Sequence, residues 1–280
     1  MTVDGAGELA AFLRARRERL TPGDVDLPVR RRRRTPGLRR EEVAELAGVS
    51  VDYVVRLEQA RGLRPSPEVL DALAAALRLS PDERLYLYDL ARQRPADRPV
   101  RVTPETAEPV ARLVRDLSPL PAMLLNHRFD ILAWNAEMAG LMVDFADLPA
   151  ARRNALWLCL LAPEFHGFYR DRERVIREGI ADLRAAWAAH PDDRELAGLV
   201  AELRAGSAEF ARLWDERDVR VNGRGEKPLL HPRYGRVTVE FEVLCPLQDR
   251  DLRLVLYRPV DERSAAALDA IARDAVALSA

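Results

Sequence analysis

Residues 38–61 read LRREEVAELAGVSVDYVVRLEQAR, and the spacing inside this stretch decides how the rest of the chain is understood. Val43, Leu46 and Ala47 recur at helical steps, and Glu41 and Glu42 put negative charge in the first turn, where a helix N-terminus favours it. Gly48-Val49-Ser50 interrupts the pattern: glycine suits a left-handed C-terminal cap, and Ser50 can cap a second helix running to about Ala60. Val43, Ala44, Ala47, Val49, Val54 and Leu57 then close one small core, with Ala44 small enough for close approach. Val51, Asp52, Tyr53, Val55 and Arg56 are left on the exposed side. A helix, a short Gly-containing turn and a second helix form the pattern of a helix-turn-helix that lays its second helix in a DNA groove.

Working outward, Leu9, Phe12, Leu13, the stem of Arg16, and Leu20 describe one amphipathic helix, ended by Thr21-Pro22-Gly23. On the other side, Ser66-Pro67-Glu68 opens a helix carrying Val69, Leu70, Leu73 and Leu77. Ser80-Pro81-Asp82-Glu83 opens another with a capping-box pattern and Leu87 and Leu90 inside. The expectation is a five-helix bundle over residues 1–91. The formal net charge of -1 hides a local asymmetry, because Ala10 to Arg64 holds 14 arginines against 8 acidic residues, five of them consecutive from Arg30 to Arg34. That surplus points to nucleic acid as the partner of this stretch.

The 38–61 run, followed by Pro65-Ser-Pro-Glu-Val-Leu-Asp-Ala-Leu, resembles the repressor-type (XRE) helix-turn-helix, and more narrowly it is similar to the actinobacterial MmyB-like regulators. The Arg-rich insertion ending in Arg34-Thr-Pro-Gly37 shares that likeness. Two positions depart from the broad family, which commonly has glutamine where this chain has Arg40 and glycine where it has Ala60. The resemblance implies that the helix starting at Ser50 enters the major groove of double-stranded DNA, with Val51, Asp52, Tyr53 and Arg56 reading bases. Arg56 suits guanine O6 and N7, Asp52 cytosine N4, and Val51 a thymine methyl. Arg31, Arg32, Arg33, Arg34, Arg40, Ser50, Arg61 and Arg64 are the expected phosphate contacts, which give affinity without reading sequence.

Residues 92–104, rich in arginine and proline, read as a linker, and 105–280 as a second domain. Thr103-Pro104-Glu105 opens a helix reaching Leu117, and Ala122 to Leu125 with Phe129 to Trp134 make a hairpin across Asn126-His127-Arg128. Tyr169, Ile176, Ile180, Leu183 and Trp187 line a long helix. Leu196, Leu199, Val200 and Leu203 mark the next, and Ser207 caps a third with Phe210, Leu213 and Trp214. The period then becomes two: Val237, Val239, Phe241 and Val243 alternate with polar residues, with Leu252, Leu254 and Leu256 as partner and a shorter strand near Pro228 to His231. A final helix starts near Asp261.

Two strands, several helices and three strands suit a PAS-like antiparallel sheet covered by helices, so the fold class is mostly α with an α+β second half. Arg153-Asn154, Leu183-Arg184-Ala185, His190-Pro191-Asp192-Asp193, Glu209-Phe210-Ala211-Arg212-Leu213-Trp214 and His231-Pro232 resemble the MmyB-type ligand-binding domain. A departure falls at Tyr169-Arg170-Asp171-Arg172, where that family usually carries an aromatic near Arg172. The resemblance implies an apolar pocket for a fatty acid or similar lipid. Trp134, Met138, Leu141, Met142, Phe145, Trp157 and Trp214 are the apolar candidates to line it, and Arg153, Asn154 and His231 the candidates to meet a carboxylate.

The composition is 48% hydrophobic and 32% charged, with no apolar run of bilayer-spanning length and no secretory h-region at the start, so a cytoplasmic protein without membrane insertion is expected. Cys159 and Cys245 lack metal or disulfide spacing, and the four histidines are scattered. No nucleophile or zinc-protease motif appears, and Gly223-Arg-Gly225-Glu-Lys227 fails the phosphate-loop spacing. Lys227, the only lysine, reads as compositional bias. The expectation is therefore no enzyme and no cofactor, but a ligand-responsive regulator acting as a homodimer, since one recognition helix reads few bases. The alternatives are a C-terminal domain that docks a protein partner, or an enzyme with an appended DNA-binding module.

Overall fold

The computed structural model describes residues 5–27, 37–61, 64–91 and 104–279. The chain divides into two compact units. The first takes Met1–Asp97 with Arg184–Ala197 and Trp214–Arg220, and the second takes Arg98–Leu183, Gly198–Leu213 and Val221–Ala280.

In the first unit, α1 (Gly5–Arg19), α2 (Arg40–Ala47), α3 (Val51–Glu58), α4 (Pro67–Ala76) and α5 (Pro81–Leu90) form the bundle. Local chemistry sets each boundary. Gly48 adopts φ 65 and its N–H bonds back to Ala44 O, ending α2, while the Ser50 hydroxyl accepts from Tyr53 N at 3.1 Å and starts α3. Ser80 and Glu83 exchange the two bonds of a capping box at 2.8 and 3.2 Å. Leu9, Phe12, Leu13, Val43, Ala44, Ala47, Val54, Leu57, Leu70, Leu73, Leu77 and Leu87 make one core, joined by Ala188 and Val219 from later in the chain. Leu46, which shares the helical spacing, faces solvent: the buried stripe of α2 is the narrow Val43-Ala44-Ala47 edge, and Leu46 lies beyond it.

Ala60, just past the end of α3, has φ 54, a left-handed conformation that costs a residue with a Cβ about 1–2 kcal/mol. Ala60→Gly is expected to relieve part of this, net of the extra unfolded-chain entropy, and to stabilise the unit by about 0.5–1 kcal/mol. Differential scanning calorimetry checks it; a lower melting temperature in the variant would contradict the strain.

In the second unit, α6 (Pro104–Asp116) precedes β1 (Ala122–Asn126) and β2 (Ile131–Trp134). Next come α7 (Ala136–Leu141), α8 (Ala155–Leu161), α9 (Arg172–Ala189), α10 (Arg194–Gly206) and α11 (Ala208–Asp215). The chain closes with β3 (Arg224–His231), β4 (Gly235–Leu244), β5 (Leu252–Pro259) and α12 (Glu262–Ser279). The last parts of α9 and α11 and the start of α10 fall in segments assigned to the first unit. The five strands are antiparallel in the order β2-β1-β5-β4-β3. One sheet face packs Leu124, Leu252 and Leu254 against Ala107, Ala111 and Val114 of α6.

Each sheet edge is bridged at one end, which shortens the unpaired ladder that an open edge would offer to other chains. Asp130 bridges Asn154 beside β2, and Tyr169 bridges Leu229 of β3, with Leu230 N bonding Phe168 O at 2.8 Å and Arg170 N bonding Pro228 O at 3.0 Å. Tyr169 therefore does not share a helix with Ile176 and Ile180, because its backbone groups are committed to the β3 edge and α9 begins only at Arg172.

Candidate functional site

The exposed surface of α3 is the candidate nucleic-acid interface. Val54 and Leu57 are buried and hold the helix on the bundle, whereas Val51 is 40% exposed and Asp52 and Arg56 are open to solvent. Tyr53 and Val55 are half-buried, and Tyr53 also packs against the bundle core. Ser50 is exposed at the helix start, with its hydroxyl capping the Tyr53 amide. Arg61 and Arg64 are exposed. Arg31, Arg32, Arg33 and Arg34, expected at phosphates, lie outside the described residues. Gly37, which ends that insertion, is buried against α1: a Cβ there would meet the Glu18 backbone at 2.6 Å, so only glycine fits.

Beneath α3 lies a charge cluster that helical periodicity alone does not reveal. Glu58 is 2% exposed and accepts from Arg17 Nε at 2.6 Å and from Arg40 Nε at 2.7 Å. Arg17 also donates to Leu38 O at 2.9 Å, tying the start of the helix-turn-helix to α1. Arg40 is thus an ion-pair partner of α3, although its side chain remains 41% exposed. Sequence reading gave Glu58 no role, because a lone glutamate near a helix end looks like a solvated charge.

In the second unit, three of the expected ligand residues come together. Trp134 meets Phe145 edge to face at 5.3 Å, and the Arg153 guanidinium lies 5.6 Å from the centroid of the Trp134 ring. Arg153 donates to Leu148 O and Ala146 O at 3.1 and 3.2 Å, so its own loop already engages two of its N–H groups. Met138 and Leu141 are fully buried on α7, and Met142 follows at its C-terminus.

Other candidates go elsewhere. Asn154 donates to Arg128 O and Asp130 Oδ1, both at 2.8 Å, and caps α8 at Trp157 N. Trp157 stacks under Arg152 at 4.2 Å and donates to Glu202 at 2.9 Å. His231 Nδ1 accepts from the Arg233 and Tyr234 amides, so a neutral ring carries its proton on Nε2, 3.0 Å from Gly140 O. Trp214 belongs to the first unit, where it meets Trp187 at 5.9 Å with Arg184 stacked 4.1 Å from its ring centroid.

No helix among the described residues is long and apolar enough to cross a membrane. Compared with known families, residues 8–87 match a helix-turn-helix domain, and residues 106–271 match the MmyB-like transcription regulator ligand binding domain. No curated protein matches the chain. The second match alone takes in more than half of the chain, and the first covers the bundle that presents α3. The chain accordingly belongs to the MmyB-like transcription regulators, with a DNA-binding helix-turn-helix domain ahead of a ligand-binding domain.

Proposed function

We propose that this regulator recognises specific double-stranded DNA through Val51, Asp52, Tyr53 and Arg56, and that a small apolar ligand of the fatty-acid type, held in the second unit, controls it. The observation that carries the DNA reading is the division of α3 into a buried Val54-Leu57 underside and an open Val51-Asp52-Arg56 face at its capped N-terminal end. Ser50, Arg61 and Arg64, all exposed, are the phosphate contacts in this reading, with Arg40 using the N–H groups that Glu58 leaves it. Pairing two chains on neighbouring half-sites supplies the length of sequence that one helix cannot read. Control requires only that the ligand bind DNA-competent and incompetent states unequally.

Selection of bound fragments from random DNA tests the first part, and native mass spectrometry with organic extraction of the purified chain tests the second. A co-purifying lipid supports ligand sensing. With the selected operator in hand, Arg56→Ala is expected to lose about 1–3 kcal/mol of preference at one base pair while keeping weak, salt-sensitive binding. Fluorescence anisotropy against single-base operator variants reads this out, and an unchanged preference would remove Arg56 from the reading surface.

A further inference from the structure

Lys227 is the one lysine among 44 basic residues, and its place in the second unit gives that singularity a use. Along β3, Gly225, Lys227 and Leu229 alternate with Arg224, Glu226 and Leu230, and the register pairs the first set with Phe241, Val239 and Val237. Leu229, Val237 and Val239 are fully buried and Phe241 nearly so. Lys227 therefore lies on the core side of the strand, itself half-buried. Its Nζ stands 4.3 Å from the centroid of Phe241, 5.6 Å from that of Tyr257 and 5.8 Å from that of Tyr169.

No carboxylate among the described residues pairs with this ammonium. The polar groups around it are neutral. Burial pushes the Cys159 thiol up to about 11, and burial likewise raises the Tyr169 hydroxyl well above the usual phenol range. The Tyr257 hydroxyl, on a side chain with no exposed surface, stands beside the Tyr169 hydroxyl without completing a hydrogen bond of normal geometry. Arg172, the other cation near Cys159, is matched by Glu209 at 2.6 Å. The site therefore holds one unmatched positive charge and at least one idle donor. Three ring faces offset part of the cost of that charge, but in a partly buried setting they do not replace an anion.

We propose that Lys227, with the Tyr257 and Tyr169 hydroxyls as further donors, anchors the carboxylate of the apolar ligand. This rests on the reading of the second unit as an apolar-ligand sensor. The bound anion would complete a charge-assisted pair and satisfy the buried phenol in one step. Sequence alone conceals the site because glycine, lysine and proline break the apolar alternation of β3.

The test uses the full chain and two probes with the same tail, dodecanoate and dodecan-1-ol, titrated by calorimetry into the parent, Lys227→Met and Tyr257→Phe. The parent is expected to prefer dodecanoate by about tenfold or more. Lys227→Met should abolish that preference while binding the alcohol as the parent does, and Tyr257→Phe should reduce it. Should Lys227→Met not fold by circular dichroism, the Tyr257→Phe comparison decides in the same way. A preference that survives the substitution, or a parent that binds both probes equally, overturns the anchor and leaves the apolar-ligand reading standing. A parent that binds neither overturns both.

Discussion

Glu58→Ala is expected to cost the DNA-binding unit about 3–5 kcal/mol, enough to unfold much of it at temperatures where the parent chain is stable. The glutamate is 2% exposed and its two oxygens take Arg17 Nε at 2.6 Å, Arg17 Nη2 at 3.2 Å and Arg40 Nε at 2.7 Å. Arg17 is itself only 9% exposed. Without the carboxylate it keeps Leu38 O at 2.9 Å and the Glu18 carboxylate at 3.3 Å, but its Nε loses the acceptor it bonds most closely. The penalty is that of a stranded guanidinium, and it exceeds the value of the intact pair, because desolvation offsets most of the attraction.

Glu58→Gln should fall between the two, since the amide oxygen still accepts while its NH2 opposes a second guanidinium. Replacing both Arg17 and Glu58 by methionine should recover much of the loss. Urea unfolding followed by circular dichroism gives the numbers, and a cost below about 1 kcal/mol for Glu58→Ala would mean that Arg17 reaches water. Added salt should change little, because the pair is shielded from bulk ions.

Such pairs mark the limit of what the chain discloses before it folds. Signals that act over a few residues are legible: Gly48 and Ser50 at the turn, Ser80 with Glu83, and the strict alternation of Val237, Val239 and Phe241 all carry their geometry with them. The exposed face of α3 is legible for the same reason, because the helical period alone separates Val54 and Leu57 from Val51, Asp52 and Arg56. Long-range pairing is not. Glu58 and Arg17 look like solvated charges until α1 and α3 meet, and the apolar spacing that takes in the stem of Arg16 says nothing of its partner Glu83 on α5. Tyr169 satisfies a helical period yet pairs with a strand 60 residues later, at Leu229. In the second unit, aromatic character picked out Trp134 and Phe145, which meet, but could not tell that Trp214 folds with the first unit.

Arg184→Ala is expected to weaken the first unit by a similar amount, about 3–5 kcal/mol, although the residue lies within the matched ligand-binding domain. Arg184 is 1% exposed. Its Nη1 meets Glu8 Oε1 at 2.5 Å and the Tyr86 hydroxyl at 3.3 Å, its Nη2 donates to the Trp214 carbonyl, and its guanidinium stacks 4.1 Å from the centroid of the Trp214 ring. Burial holds the Tyr86 hydroxyl well above its usual range, so it stays protonated and donates to Glu8 at 3.0 Å. Alanine would leave Glu8, 13% exposed, to Arg217 at 3.5 Å and Tyr86, remove a donor from the Trp214 carbonyl and open a void beside two rings. Arg184→Lys keeps the charge but not the planar fork that serves three acceptors, so it should recover only part of the loss. Hydrogen exchange at the α5 amides, with calorimetry of the whole chain, would report the effect. Since Ala188 and Val219 share the same apolar core, weakening at Arg184 should lower protection through α5 and cut operator affinity without altering base preference. Unchanged exchange in α5 would show that the bundle holds itself together without these later segments.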